Sequence, residues 1–355
     1  MRNLAEENAQ LCVYHRGIKV VDLWCSKSHD PNFGADSLIN VFSSGKSLEA
    51  IAIASLVGRG LLTYETTICE VWPEYHGGGK EHTCVADLMR HEAGLATFDT
   101  AIAVDDLLPE NIKANRLGSL IENQDQHFRS AAATRREYHA MTRGWIVNEV
   151  FRRVDPAGRT LGEYLAEEIS GPLNADVVVG LNDAQLRRVS NITPLGIRCH
   201  ILASFRPKIF GRKVLHNFFQ LMARLLKVVL AARKGTSARK SPIQGMRSIN
   251  FFNDERMRRG ETPSANTHAS ARGLAHIAAV MAAGGQLGAV ECLSQSAWDL
   301  LHKDPQPASM GGVLPTRFTQ GGVDQFLPSP SGTPWLTRAL NEGREGFYGW
   351  MGLGG

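Results

Sequence analysis

Residues 48–57, LEAIAIASLV, are almost wholly apolar, and glycines follow at 58 and 60. A helix that is apolar on every side is a buried one. The pattern therefore predicts a core helix that starts near Ser43 and stops at Gly58 and Gly60. Near the start of the chain, AQLCVYH and KVVDLWC flank Arg16-Gly17, which predicts a β-hairpin with those two residues in the turn. In 136–175, Trp145, Ile146, Val150 and Phe151 recur at helical spacing, with Tyr138 just ahead of them. A loop at Pro156–Gly158 then leads into a second predicted helix near Thr160–Ile169. Residues 205–240 carry Leu215, Phe218, Phe219, Met222, Leu225, Leu226 and Val229 at helical spacing, with Lys and Arg between and around them. This predicts a basic amphipathic helix. The pattern favours packing on the body of the protein with a solvated basic face over contact with an anionic membrane or a lid over an acyl site.

Charge sharpens that picture. The chain of 355 residues has a net charge of +4, yet residues 201–250 hold eleven Lys and Arg and no Asp or Glu. The remainder sums to 4 − 11 = −7, so the composition is not that of a nucleic-acid-binding protein. The six cysteines (Cys12, Cys25, Cys69, Cys84, Cys199, Cys292) form no C-x-x-C pair and read as reduced, mostly buried thiols. MRNLAEENAQ has neither a basic n-region nor an apolar h-region, and no apolar run reaches the roughly 18 residues of a membrane span. The default reading is a soluble cytoplasmic protein.

Candidate chemistry lies in NVFSSGKS, 40–47. A phosphate loop needs glycine at both ends, because backbone N–H groups must come close to the phosphates. Five residues before Gly45 stands Asn40, so the first glycine is absent. Ser43 and Lys46 instead spell S-x-x-K. On a helix beginning at Ser43 they share a face and can touch. A serine hydroxyl is a poor nucleophile until a base removes its proton, and a desolvated lysine can lose its charge and be that base. A helix N-terminus also favours the negative charge that develops there. Taken alone, the motif is equally an ordinary N-cap serine, and Tyr138 alone an ordinary core tyrosine.

Four blocks, taken together and in order, resemble the serine β-lactamase / penicillin-binding-protein-like family, nearest its class C-like branch with the family VIII esterases and animal β-lactamase-domain proteins. They are FSSGKS with its helix and GRGLLTYETTICEVWPEY; VADLMRHEAGL; Tyr138-His139-Ala140 with GWIVNEVFRRV; and ETPSANTHASARGLAHIAAVMAAGGQL. The resemblance implies Ser43 as acyl-accepting nucleophile, Lys46 as its base and Tyr138 as a second proton-transfer group; which group acts as base is disputed in this superfamily. Members commonly carry Y-x-N. Here the third residue is Ala140, as in some esterase-like members, which bears on lactam recognition more than on acyl transfer. Trp350-Met351-Gly352 resembles the family's W-x-G strand. With Ser43, the N–H of Leu353 would complete an oxyanion hole, where each aimed donor contributes about 3 kcal/mol in comparable sites. The alternative for 347–355 is a glycine-rich tail with no site.

The implied fold is α/β (α+β): a five-stranded antiparallel sheet flanked by helices, with an all-helical lobe inserted. That gives one β-lactamase-related domain over 1–355, an α/β lobe from 1–60 and 265–355, and a helical lobe 61–264 holding the basic insert 205–240. A helix at 268–283 and the W-x-G strand should be followed by two strands and a final helix. Only five residues follow Trp350. The expectation is therefore a chain cut at both ends, with a gap between hairpin and W-x-G strand. The implied function is a serine hydrolase working through an acyl-Ser43 intermediate, on a carboxylic ester before an amide or lactam. The alternative is a catalytically silent scaffold or inactive fragment. The partner is a small-molecule acyl substrate, with no cofactor, metal or nucleic acid implied, membrane contact only through 205–240, and the oligomeric state open.

Overall fold

The computed structural model describes residues 7–27, 29–128, 136–194, 196–207, 209, 217–222, 241–310, 314–326, 345–350 and 352. Strands β1 (Asn8–His15) and β2 (Ile18–Ser26) form the predicted hairpin. Arg16 and Gly17 both take positive φ, 50° and 76°, the two-residue turn whose twist matches the flanking strands. After β3 (Ile39–Asn40), a 3₁₀ turn over Phe42–Gly45 runs straight into helix α1 (Lys46–Gly58). Leu48, Ile51, Ile53, Leu56 and even Glu49 on α1 are buried, as an all-apolar pattern requires. It packs on α2 (Thr142–Val154), the helix read from the Trp145–Phe151 spacing. Thr160 caps the next short helix, Leu161–Tyr164, through a capping box with Glu163.

Two expectations change here. Val177–Val179 is a strand, β4, so 61–264 is not helical throughout. Three successive β-branched residues fit a pleated, buried strand better than a helix. The segment Thr267–Ala269 is also a strand, β5, paired to β3 on one side and β4 on the other. The helix expected over 268–283 therefore begins later, as α3 (Ala271–Ala282), capped by the Ser270 hydroxyl, which accepts the Gly273 N–H at 3.1 Å. Helix α4 (Gln295–His302) packs on α1.

Strands β6 (Gln306–Met310), β7 (Leu314–Phe318), β8 (Asp324–Gln325) and β9 (Tyr348–Gly349) form a four-stranded sheet in the order β9-β8-β7-β6. The single five-stranded sheet is absent among the described residues: the hairpin, the β3-β5-β4 unit and this sheet are separate. The hairpin is held by its face rather than its edge. Tyr14 stacks on His276 of α3 with ring centres 5.5 Å apart, Arg272 reaches Asp22 at 2.7 Å, and Gln10 accepts the Ala271 N–H at 2.9 Å. On the other face Leu11 and Leu23 sit opposite one another and are exposed.

All six cysteines are free, but the expectation that most are buried fails. Only Cys292 is buried, and Cys25 and Cys199 are exposed. Both lie on elements with an open face, where a small thiol needs no covering. Of the basic insert 205–240, only 205–207, 209 and 217–222 are described; Phe218–Met222 are helical, and Phe205 stacks on Phe218. The remainder of the expected amphipathic helix lies outside the described residues. No helix among the described residues is long and apolar enough to cross a membrane.

Candidate active site

Ser43 sits in the 3₁₀ turn, one residue after Phe42, whose φ of 47° is unusual for a residue with a side chain. The Asn40 side chain holds that turn by accepting the Phe42 N–H at 2.7 Å. Strain of this kind persists only where the surroundings enforce it. Its effect is to lift the Ser43 side chain, half-buried, to the start of α1. Gly45 has an ordinary helical backbone, yet a Cβ there would lie 2.2 Å from the Pro263 carbonyl oxygen and 2.3 Å from Thr267 Oγ1. This glycine thus lets α1 press against the start of β5, a packing role unrelated to phosphate. Gly45→Ala is expected to cost about 1–3 kcal/mol through the displaced backbone, read as a lower melting temperature.

Lys46 is fully buried. Its Nζ lies 2.8 Å from the Ala140 carbonyl oxygen, 2.9 Å from the Ser264 carbonyl oxygen and 3.4 Å from Ser43 Oγ. The Ser43 hydroxyl is also hydrogen-bonded to the Tyr138 hydroxyl. Ser43, Lys46 and Tyr138 are therefore brought together, although Tyr138 is 95 residues from Ser43 in the chain. Burial pushes Lys46 well below the usual lysine range; Glu49 opposes the shift and Arg143 adds to it. A neutral amine suits the geometry: two N–H groups donate to the two carbonyls, and the lone pair remains for Ser43. Burial raises the Tyr138 phenol, while its bond to Ser43 pulls the other way.

A supporting layer was not read from the sequence. Arg143 and Glu49 form a buried ion pair at 2.8 Å. Arg143 also donates to the Lys46 carbonyl at 2.8 Å, and the Ser264 hydroxyl donates to Glu49 at 2.6 Å. The carbonyl of that same Ser264 holds Lys46 Nζ. Glu49 stands three residues after Lys46 in a run otherwise apolar but for Ser55; a lone carboxylate in a buried helix was the available signal. His139 accepts the Leu95 N–H at Nε2 (3.0 Å) and therefore carries its proton on Nδ1, which donates to the Glu137 carbonyl at 2.6 Å. Burial lowers its pKa to about 4. His91 Nδ1 accepts the His139 N–H at 3.0 Å. These two neutral imidazoles hold the loop that presents Tyr138, and HEAGL was the place to look for the first.

Trp350 also belongs to this cluster. Its ring stacks on Tyr138 (centres 6.0 Å apart) and on Phe318 (4.8 Å), and it lies 5.8 Å from Lys46 Nζ. A Cβ on Gly352 would lie 2.2 Å from the Val41 carbonyl oxygen and 2.8 Å from the Ser44 nitrogen. Gly352 is thus laid against the Val41–Ser44 backbone, an approach open to glycine alone. Leu353, expected to donate the second oxyanion N–H, lies outside the described residues.

The whole chain, residues 1–355, matches the Beta-lactamase family model, and the protein belongs to that family. Its fold is the family's combination of helices and antiparallel sheets. It is 29% identical over 297 residues to Esterase/beta-lactamase LipL of Mycobacterium tuberculosis, a match covering 80% of this chain and 61% of LipL. The chain thus spans under two thirds of the length of that relative. Among solved structures it resembles a penicillin-binding protein homologue from Caulobacter crescentus, with 26% identity, a TM-score of 0.69 and coverage of 92% of this chain and 79% of the other. It also resembles a family VIII carboxylesterase, with 24% identity, a TM-score of 0.66 and coverage of 92% and 77%.

Proposed function

We propose that the protein is a serine hydrolase that cleaves a carboxylic ester through an acyl-Ser43 intermediate. The observation that carries this reading is the convergence of three groups: the Ser43 hydroxyl bonded to Tyr138, with the buried Lys46 amine 3.4 Å away. Lys46 takes the Ser43 proton as Oγ bonds to the ester carbonyl carbon. The tetrahedral adduct collapses with loss of the alkoxide, which takes a proton from the Tyr138 hydroxyl. The resulting phenolate lies beside the Lys46 ammonium, the Nζ being 4.9 Å from the tyrosine ring centre. In the second step the phenolate takes a proton from water as its oxygen attacks the acyl carbon. Ser43 leaves and recovers its proton from Lys46. Lys46 hands the serine proton back, the proton Tyr138 gave to the alcohol is replaced from water, and no reactant other than ester and water is needed.

One feature favours an ester over a lactam. Ala140 offers the site only a backbone carbonyl, and that carbonyl is engaged by Lys46, so no side-chain amide stands there to bind a lactam substituent. The relative named Esterase/beta-lactamase LipL carries both activities in its name and supports acyl transfer to serine without choosing between them. The test is a fluorophosphonate probe on the purified chain, with intact-mass and peptide mapping. A single adduct on Ser43 is expected. A folded protein that stays unlabelled would instead support the silent-scaffold reading.

A further inference from the structure

We infer, building on the hydrolase reading, that the acyl group transferred to Ser43 is a long, uncharged apolar chain, and that Met246 and Ile249 form the wall that selects it. A cavity of about 920 Å³ opens at Ser43, near the upper end of the roughly 300–1,000 Å³ typical of small-molecule sites. Its body is lined by Phe42, Met141, Met246, Ile249 and Phe252. The Phe42 and Phe252 rings meet edge to face, 5.5 Å apart at 77°. The strained backbone at Phe42 therefore places an aromatic wall beside the nucleophile as well as aiming the serine. No carboxylate lines the cavity among the described residues, and its one charged side chain is the exposed Arg247. A cationic chain finds no counter-charge here and meets Arg247 instead.

The Met246–Phe252 wall arrives with the chain that returns from the basic insert. It is anchored, not loose. Ile102 donates its N–H to the Pro242 carbonyl at 3.0 Å and accepts the Gln244 N–H at 2.9 Å, and the intervening Ile243 is fully buried. The acyl group is the half of the substrate that must stay in place through both steps. An apolar cavity opening at the attacking oxygen holds that half. The two thioethers that line the cavity, Met141 and Met246, adapt to a flexible chain better than branched side chains would.

The test compares p-nitrophenyl acetate, butyrate and octanoate on the purified chain. Each further buried methylene raises kcat/KM about fourfold at full burial, so octanoate is expected to exceed acetate by at least about tenfold. Ile249→Asp places a carboxylate on the wall, and the octanoate-to-acetate ratio should fall about tenfold. Met246→Ser carries the same readout if that variant does not melt cooperatively. A flat chain-length profile, or a ratio unmoved by both substitutions, would overturn the inference while Ser43 labelling by fluorophosphonate leaves the hydrolase reading intact. Displacement of the fluorescent probe N-phenyl-1-naphthylamine from Ser43→Ala protein supplies a readout free of chemistry. Displacement by ethyl octanoate but not ethyl acetate, weakened by Ile249→Asp, supports the pocket even where turnover and labelling fail and the hydrolase reading falls. No displacement in that case would overturn the pocket as well.

Discussion

Ser43→Ala is expected to lower ester turnover by roughly 10⁴-fold or more, the scale on which serine hydrolases respond to loss of the nucleophile. The reason is local. Among the described residues the Ser43 hydroxyl stands between the buried Lys46 amine and the half-buried Tyr138 hydroxyl, and the alanine variant leaves no oxygen there to take the acyl group. The substitution deletes one oxygen from a half-buried position and leaves α1 untouched, so stability should move by only about 1 kcal/mol, the size of one hydrogen bond. Turnover of a p-nitrophenyl ester and a thermal melt on the same preparations check both halves. Undiminished turnover in a folded Ser43→Ala protein would remove Ser43 from the mechanism.

Lys46→Met should be nearly as damaging, with kcat reduced by roughly 10³-fold, within the usual range for loss of a general base. Lys46→Arg should not rescue it, because a guanidinium remains charged and cannot accept the serine proton. The wild-type pH profile follows from the same burial. The proposed mechanism needs Lys46 as a neutral amine, and desolvation holds it well below the usual lysine range. Turnover should therefore rise as pH climbs through that lowered pKa and fall on the acid side as the amine takes a proton. Stability has its own signature. Between the lowered folded-state pKa and the unfolded value near 10.4, the unfolded chain binds more protons than the folded one, so this group makes stability increase with pH across that window. Lys46→Met should flatten that slope. Denaturant midpoints at several pH values, beside kcat/KM at the same values, test the two effects separately; a Lys46→Met protein with the wild-type pH profile would exclude Lys46 as the base.

Much of this site is written in short-range pattern. A nearly all-apolar run after S-x-x-K predicts a buried helix with a serine and a lysine on one face; α1 is that buried helix and Lys46 lies within reach of Ser43, but it begins at Lys46, with Ser43 in the 3₁₀ turn before it. The hairpin, the α2 spacing and the Thr160 helix start were equally readable, because side-chain period and capping act within a few residues. Tyr138 was different. Its spacing suggested only a core residue ahead of a helix, and it was singled out through resemblance; its bond to Ser43 comes from the tertiary fold.

The missed features are all long-range. Val177–Val179 and Thr267–Ala269 are strands because each finds β partners far along the chain. Thr267-His268-Ala269 next to a helical pattern carries no local mark of that pairing. Gly45 looked like half of a phosphate loop, whereas its role is to admit the Pro263 carbonyl. Glu49, Arg143 and Ser264 were invisible as a set, since an ion pair between residues 94 positions apart leaves no periodic trace.

The sequence alone determined where the core helix, its serine and its lysine lie, since hydrophobic period and i,i+3 geometry are local properties of the chain. Only the tertiary structure decided the lowering of the lysine's pKa and the company it keeps. Desolvation and the carbonyls of Ala140 and Ser264 act across space, and they exist only once α1, α2 and the approach to β5 have packed together.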